Sequence, residues 1–174
     1  MKIPLYTVLA ANNKKIGIGG KLMSFTTKEY TRRIIVTKTD LDKMVIAQNS
    51  FQRYWKREIS KATFQANIIN LGATVLGFVF KSTTAGIIVT VAEGAFSWAS
   101  TSYRQTVGDT AENGNNQIVD LFSMMVNNTS YAQIDVELPY LEFRDNATGN
   151  LTTIVSGYGI IHRVKLTNGN WITQ

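Results

Sequence analysis

The sequence predicts an α+β domain with a mostly antiparallel β sheet or barrel, one main amphipathic helix and a carboxy-terminal β-meander. Three observations predict it. Apolar side chains recur at helical spacing across residues 41–62. Apolar and polar side chains alternate across 131–143, and Asn168-Gly169 is a tight hairpin turn pair. With 174 residues, 44% of them hydrophobic, we expect a single domain over 1–174.

The amino-terminal part predicts strands. Residues 3–11 are apolar and partly β-branched, and they are too short and too interrupted for a secretory leader. Residues 12–14 predict a turn, and the glycine-containing residues 16–25 predict a partner strand. We therefore expect an amino-terminal hairpin, followed by a further strand over 30–37.

The main helix is predicted over residues 41–62. Asp40 precedes it as a capping residue, and its apolar positions, among them Phe51 and Trp55, are spaced to pack on one side. Cations gather in its last turns, where they suit the negative end of the helix dipole. This helix is therefore expected to be half packed and half exposed.

Two apolar stretches follow the predicted helix. Residues 62–80, which lie between Lys61 and Lys81, carry no charge. Residues 85–99 carry only one charge, Glu93. Their length approaches that of a membrane span. Polar side chains such as Asn67 are costly in hydrocarbon, so we expect 62–99 to lie in a protein core or a subunit interface. Periodicity does not decide between helix and strand here.

The rest of the chain predicts a loop, a short helix and then strands. Residues 101–116 are polar and contain glycine, so they predict a loop, and 117–126 predict a short apolar helix. The expected strands of the carboxy-terminal meander are 131–143, 150–156, 158–166 and 171–172.

Charge is distributed unevenly along the chain. The net charge is +6, but residues 1–81 carry 14 Lys/Arg against 4 Asp/Glu, whereas residues 82–174 carry 4 against 8. This asymmetry indicates a partner of opposite sign: another copy of the same chain or, through non-specific contact, nucleic acid. The candidate interface residues are Arg32, Arg33, Arg53, Lys56 and Arg57.

Few residues are available for catalysis. The absence of cysteine excludes disulfides, cysteine–zinc sites and thiol chemistry. His162 is the single histidine, and its place in an alternating strand favours a structural or surface role. Lys21 follows a glycine pair but precedes Leu22, so the Ser/Thr of a Walker phosphate loop is missing. We predict no catalytic residue and no cofactor.

Four carboxylates in the carboxy-terminal part are candidates for a cation site. They fall on or beside predicted strands, where carboxylates usually face water, so we predict no metal. They are Asp135, Glu137, Glu142 and Asp145.

The amino-terminal glycine pattern resembles that of dihydrofolate reductases. Ile16-Gly17, Gly20 and Lys21-Leu22 follow a predicted first strand, and residues 117–122 followed by 134–137 resemble later family segments. The resemblance implies a nicotinamide-dependent reductase with Glu29 near the position of the catalytic acid. Met23-Ser24 stands where the family has Pro-Trp.

The carboxy-terminal third resembles tail-tube-type virion proteins of bacteriophages. The helix 117–126 precedes a strand that ends at Asp145, a turn through Gly149 and a second strand that ends at Gly159-Ile160-Ile161. The resemblance implies a ring of subunits, strands closed into a barrel, and an amino-terminal region that contacts the next ring. It also implies other virion proteins as partners and a virion assembled in the host cytoplasm.

The expected function is therefore structural: a self-assembling subunit, of a phage tail tube or a related virion component. Two alternatives stay open. One is a membrane-active protein with an apolar hairpin at 62–99, although no membrane is favoured. The other is a diverged dihydrofolate-reductase-like enzyme.

Overall fold

The computed structural model describes residues 16–18 and 21–173. The predicted α+β class is confirmed, but among the described residues helices outweigh the strands that were expected to dominate. The predicted strand at 3–11 and turn at 12–14 lie outside the described residues. The helices are α1 (Lys38–Trp55), α2 (Lys61–Ile69), α3 (Ala73–Phe80), α4 (Ala85–Trp98) and α5 (Thr101–Asn127). The strands are β1 (Ile16–Ile18), β2 (Lys21–Met23), β3 (Phe25–Thr37), β4 (Tyr131–Asp145), β5 (Leu151–Val155), β6 (Ile160–Leu166) and β7 (Trp171–Thr173).

The main sheet is built around β4. On one side β3 pairs with it antiparallel over the whole length of β3, from Phe25 opposite Asp145 to Thr37 opposite Gln133. On the other side β5 pairs with its carboxy-terminal part and β6 with its amino-terminal part, and β7 pairs with β6. Because β4 has 15 residues, it is long enough for two partners on one side. The sheet stays open rather than closing into a barrel, and β1 and β2 form a separate hairpin.

Helix α1 begins and ends where local hydrogen bonds dictate. Thr37, not Asp40, is the N-cap: its hydroxyl accepts from the Asp40 N–H, and the Asp40 carboxylate accepts from the Thr37 N–H. The helix ends at Trp55, not at 62. Arg57 takes a left-handed conformation with φ 61°, and its N–H bonds to the Tyr54 carbonyl, which closes the last turn.

The apolar stretch 62–99 forms helices. Val79 and Ile88 are among its fully buried side chains, so α3 and α4 pack in the core of this fold. The segment Ala73–Trp98 is long and apolar enough to cross a membrane by length and composition, and 44% of its apolar window is buried. Lys81, with φ 53°, separates α3 from α4 within it.

The loop predicted at 101–116 is wrong, because α5 runs unbroken over 27 residues from Thr101 to Asn127. Ser100 caps it by accepting from the Tyr103 N–H. The buried stripe of α5 has helical spacing, but several of its members are small or polar, which hid the pattern. Its buried residues include Val107, Ala111, Gly114, Ile118, Leu121 and Met125.

A buried side-chain amide joins α1 to the end of β5. Gln48 is fully buried; its Nε2 donates to the carbonyls of Val155 at 2.8 Å and Ala111 at 3.0 Å, and its Oε1 accepts from the Val155 N–H. Gly114 of α5 faces the same backbone, and a Cβ there would lie 1.9 Å from the Val155 carbonyl oxygen. Strand β5 is therefore held against α1 and α5. In this position it pairs with β4 on the side away from β3.

Candidate assembly surface

Among the described residues, the unpaired edge of β3 is the longest strand edge of the sheet. One side of this 13-residue strand pairs with β4. Within residues 21–173, no hydrogen bond from an element other than β4 reaches the backbone of residues 25–36. An edge strand offers a row of N–H and C=O groups that another strand can pair with. We call this row, with its flanking side chains, the β3 edge.

One face of the sheet carries an ion-pair network around Asp135, and we call it the outer face, although toward Phe25 the same face is covered by α4. Arg33 of β3 donates from Nε and Nη2 to the Asp135 carboxylate of β4, at 2.6 and 2.7 Å. Arg163 of β6 donates to the same carboxylate at 2.7 Å, and its guanidinium lies 4.3 Å from the Trp171 ring centroid. The Asp135 side chain is only 1% exposed, while Arg33 is 51% exposed. The network therefore fixes Arg33 in place on β3.

The hydrogen bond from Arg33, followed by that from Arg163, holds the pKa of Asp135 well below its usual range. A depressed folded-state pKa stabilises the fold above the unfolded-state pKa, and this stability is lost as the pH falls toward the folded value. We expect the free energy of unfolding to decrease as the pH falls below about 5. Asp135→Asn should remove that part of the pH dependence and lower the stability at neutral pH by about 1–3 kcal/mol.

Urea unfolding at pH 7 and pH 4 measures both effects. Asp120→Asn is the matched control, because Asp120 is exposed on α5 and makes no ion pair within residues 21–173. If Asp135→Asn and Asp120→Asn shifted stability equally at both pH values, the network would not stabilise the sheet.

Arg32 points to the opposite face of β3 from Arg33, as neighbouring strand residues do. Its Nη2 donates to the carbonyls of Gly77 and Phe78, at 2.8 and 2.7 Å, near the carboxy-terminal end of α3. The Tyr140 hydroxyl donates to the same Phe78 carbonyl at 2.7 Å, and burial raises the pKa of Tyr140 to about 12. Arg32 thus stabilises a helix end inside its own subunit.

The other three predicted interface cations lie at the end of α1. Arg53 pairs with Glu58 at 3.5 Å, and Lys56 pairs with Glu112. The Arg57 guanidinium lies 3.5 Å from the centroid of a phenylalanine ring on α4. The structure therefore divides the five predicted residues into a β3 pair and an α1 group, and all five have partners within the chain.

Glu29 is a residue of the β3 edge that sequence reasoning did not place there. The reductase resemblance marks it as a catalytic acid, and the structure places it at the β3 edge, half-buried. Within residues 21–173 it forms no ion pair, unlike Arg33 four positions later. The opposite charges at Glu29 and Arg33 were visible in the sequence, but only the pairing of β3 shows that they flank a free edge.

The other candidate residues have structural partners. His162 Nε2 lies 3.1 Å from Glu137 Oε2, and a hydrogen bond from Thr31, followed by that of His162, lowers the pKa of Glu137. Glu142 pairs with two cations, and Asp145 accepts hydrogen bonds within its own turn. In the part of the chain that the structure describes, no group of three or more acidic or histidine side chains is placed to hold a metal ion.

Comparison with known proteins adds no relative. No protein-family model matches the chain, and no curated protein or solved structure matches it either. The function is therefore inferred from the chemistry of its own residues.

Proposed function

We propose that the chain is a structural subunit that assembles with copies of itself, and that the β3 edge is where copies meet. The observation that carries this proposal is the 13-residue edge strand, which pairs on one side only within residues 21–173. Native proteins usually cover or shorten such an edge. Pairing with another strand supplies main-chain hydrogen bonds along its whole length.

The charges of the chain support a protein partner more than a nucleic acid. Nucleic-acid binding relies on cations that are free to neutralise phosphates. Here the five predicted interface cations are already engaged with carboxylates, carbonyls or aromatic rings of the same chain. The exposed charges outside these pairs are then left to select and orient neighbouring subunits.

A phage tail tube is the specific assembly that the carboxy-terminal resemblance implies. Its support is the sequence resemblance of the carboxy-terminal third alone. In that form the partners are copies of the chain in a ring and other virion proteins, assembled in the host cytoplasm. Rings of purified protein in negative stain would support this specific form.

Sedimentation across protein concentration and salt tests the proposal. We expect the mean mass to rise with concentration, and salt to slow assembly by screening charges beyond about 8–10 Å. Exposed ion pairs contribute only about 0–1 kcal/mol each, so strand pairing and apolar contact supply most of the affinity. A chain that remained monomeric at every concentration and ionic strength would overturn the proposal.

Two further measurements, DNA binding and partition into liposomes, test the alternatives. Tight, strongly salt-dependent DNA binding by the monomer would favour a nucleic-acid-binding protein instead. Quantitative partition into neutral liposomes would favour the membrane-active alternative, in which Ala73–Trp98 leaves the core.

A further inference from the structure

We infer that two copies join by antiparallel pairing of β3 with β3, around a two-fold axis that passes beside Thr31. The inference rests on the proposed self-assembly and specifies its first contact. The result is one continuous sheet in which β3 of each copy is no longer an edge. A two-fold contact of this kind uses the same patch on both partners.

The length of β3 selects the position of the axis. A two-fold axis perpendicular to the sheet keeps the outer faces of both copies on the same side and places one residue opposite its own copy. The strand runs from Phe25 to Thr37, so its midpoint is Thr31. All 13 residues find a partner only when the axis lies at this midpoint.

Charge excludes the neighbouring positions of the axis. An axis at Lys28, Glu29, Arg32 or Arg33 would place that charged residue directly opposite its own copy. An axis at Tyr30 would place Lys28 opposite Arg32. Like charges directly opposite one another destabilise a strand pair. Among the positions from Lys28 to Arg33, only the midpoint avoids such a clash.

With the axis at Thr31, the opposite residues are complementary. Glu29 of each copy faces Arg33 of the other, which forms two identical ion pairs on the outer face. Tyr30 faces Arg32, an aromatic ring opposite a guanidinium. Each of these pairs occurs twice, because the axis repeats it.

Two side chains of the β3 edge, Arg33 and Tyr30, are already held by contacts within their own chain. Arg33 uses Nε and Nη2 for Asp135, which leaves Nη1 to donate to a second carboxylate. Glu29 lacks an ion-pair partner within residues 21–173. Thr31 is exposed, and Tyr30 stacks on Tyr140 with ring centroids 5.8 Å apart. Pairing therefore requires little reordering of these groups.

Disulfide trapping tests the position of the axis. The chain has no cysteine, so a single Thr31→Cys substitution provides one thiol per copy. At the axis the two Cα atoms would lie about 4.5–5.5 Å apart, within the range that a disulfide spans. We expect most of the Thr31→Cys protein to become a covalent dimer under mild oxidation, as seen on a non-reducing gel.

Two controls use the same strand. Thr26→Cys is also exposed on β3 but would face Val36 of the other copy, so it should stay uncrosslinked. Thr27→Cys and Ile35→Cys should crosslink when the two variants are mixed and not when each is oxidised alone. This mixed pair keeps the test valid if Thr31→Cys does not fold.

The outcomes separate the two proposals. Crosslinking of Thr31→Cys, or of the mixed pair, with an uncrosslinked Thr26→Cys supports the two-fold contact. Suppose that the wild-type chain associates in sedimentation but neither Thr31→Cys nor the mixed pair crosslinks. The two-fold contact is then wrong, and self-assembly stands. The same conclusion follows if Thr26→Cys crosslinks as much as Thr31→Cys. If the wild-type chain is monomeric at every concentration, both self-assembly and the two-fold contact are overturned. The β3 edge is then either covered by another segment of the same chain or left uncovered.

Discussion

Replacement of Gly114 by alanine is expected to lower the free energy of unfolding by about 3 kcal/mol or more. The added Cβ would lie 1.9 Å from the Val155 carbonyl oxygen and 2.9 Å from Gln48 Nε2. The backbone of β5 cannot move away without breaking the hydrogen bonds that Gln48 makes to it. Urea unfolding followed by circular dichroism measures the loss.

Gly108 of the same helix is the matched control. A Cβ there would lie 3.5 Å from the nearest atom, Lys56 Cε, which is ordinary van der Waals contact. Alanine is also the better helix former, by about 1 kcal/mol. Gly108→Ala should therefore be neutral or stabilising. Equal, small effects of the two substitutions would show that α5 does not approach β5 as described.

Replacement of Phe51 by alanine is expected to cost about 3–5 kcal/mol of stability. Phe51 is fully buried on α1, stacks on Trp55 with centroids 5.4 Å apart, and meets Phe64 and Phe80 at 6.2 and 6.4 Å. Its removal leaves a cavity that these fixed rings cannot fill.

The control on α1 is Ile46→Ala, since Ile46 is 43% exposed. Its loss should stay below about 1 kcal/mol. The same urea titration compares both variants. A loss below about 1 kcal/mol for Phe51→Ala would place that ring outside the core.

The elements with strong local signals were predictable from the sequence. Helix α1 has large apolar side chains at helical spacing, and β4 alternates between apolar and polar side chains from Ile134 to Leu138, so each was found. Helix α5 was mistaken for a loop over residues 101–116, because Gly108, Thr110 and Gly114 occupy its buried stripe there. The end of α1 at Trp55 was missed because the left-handed residue that follows the helix is Arg57, whereas glycine is usual at such a position.

The assembly surface was predictable only in part. Arg32 and Arg33 were identified as cations of interest, but a sequence does not show that one stabilises α3 and the other binds Asp135. Those contacts join residues 45 and 102 positions apart. The β3 edge depends on which strands pair, which is a property of the whole sheet.

The interior of the fold explains why one edge of β3 stays unpaired within residues 21–173. Gln48 and Gly114 hold β5 against α1 and α5, and β5 and β6 together occupy one side of β4. Only the other side of β4 remains for β3, whose own far edge has no further strand within residues 21–173. Core packing thereby determines which edge is offered to the second copy in the proposed assembly.

Sedimentation of the wild-type chain beside Thr31→Lys tests the central claim most directly. Thr31 is exposed, so lysine should leave the fold intact, but at the axis it would face a second lysine. Asn127→Lys adds the same charge at the exposed end of α5 and is the control. We predict that the wild-type chain and Asn127→Lys associate with rising concentration, whereas Thr31→Lys stays monomeric. A Thr31→Lys chain that associates as tightly as the wild type would contradict assembly through the β3 edge.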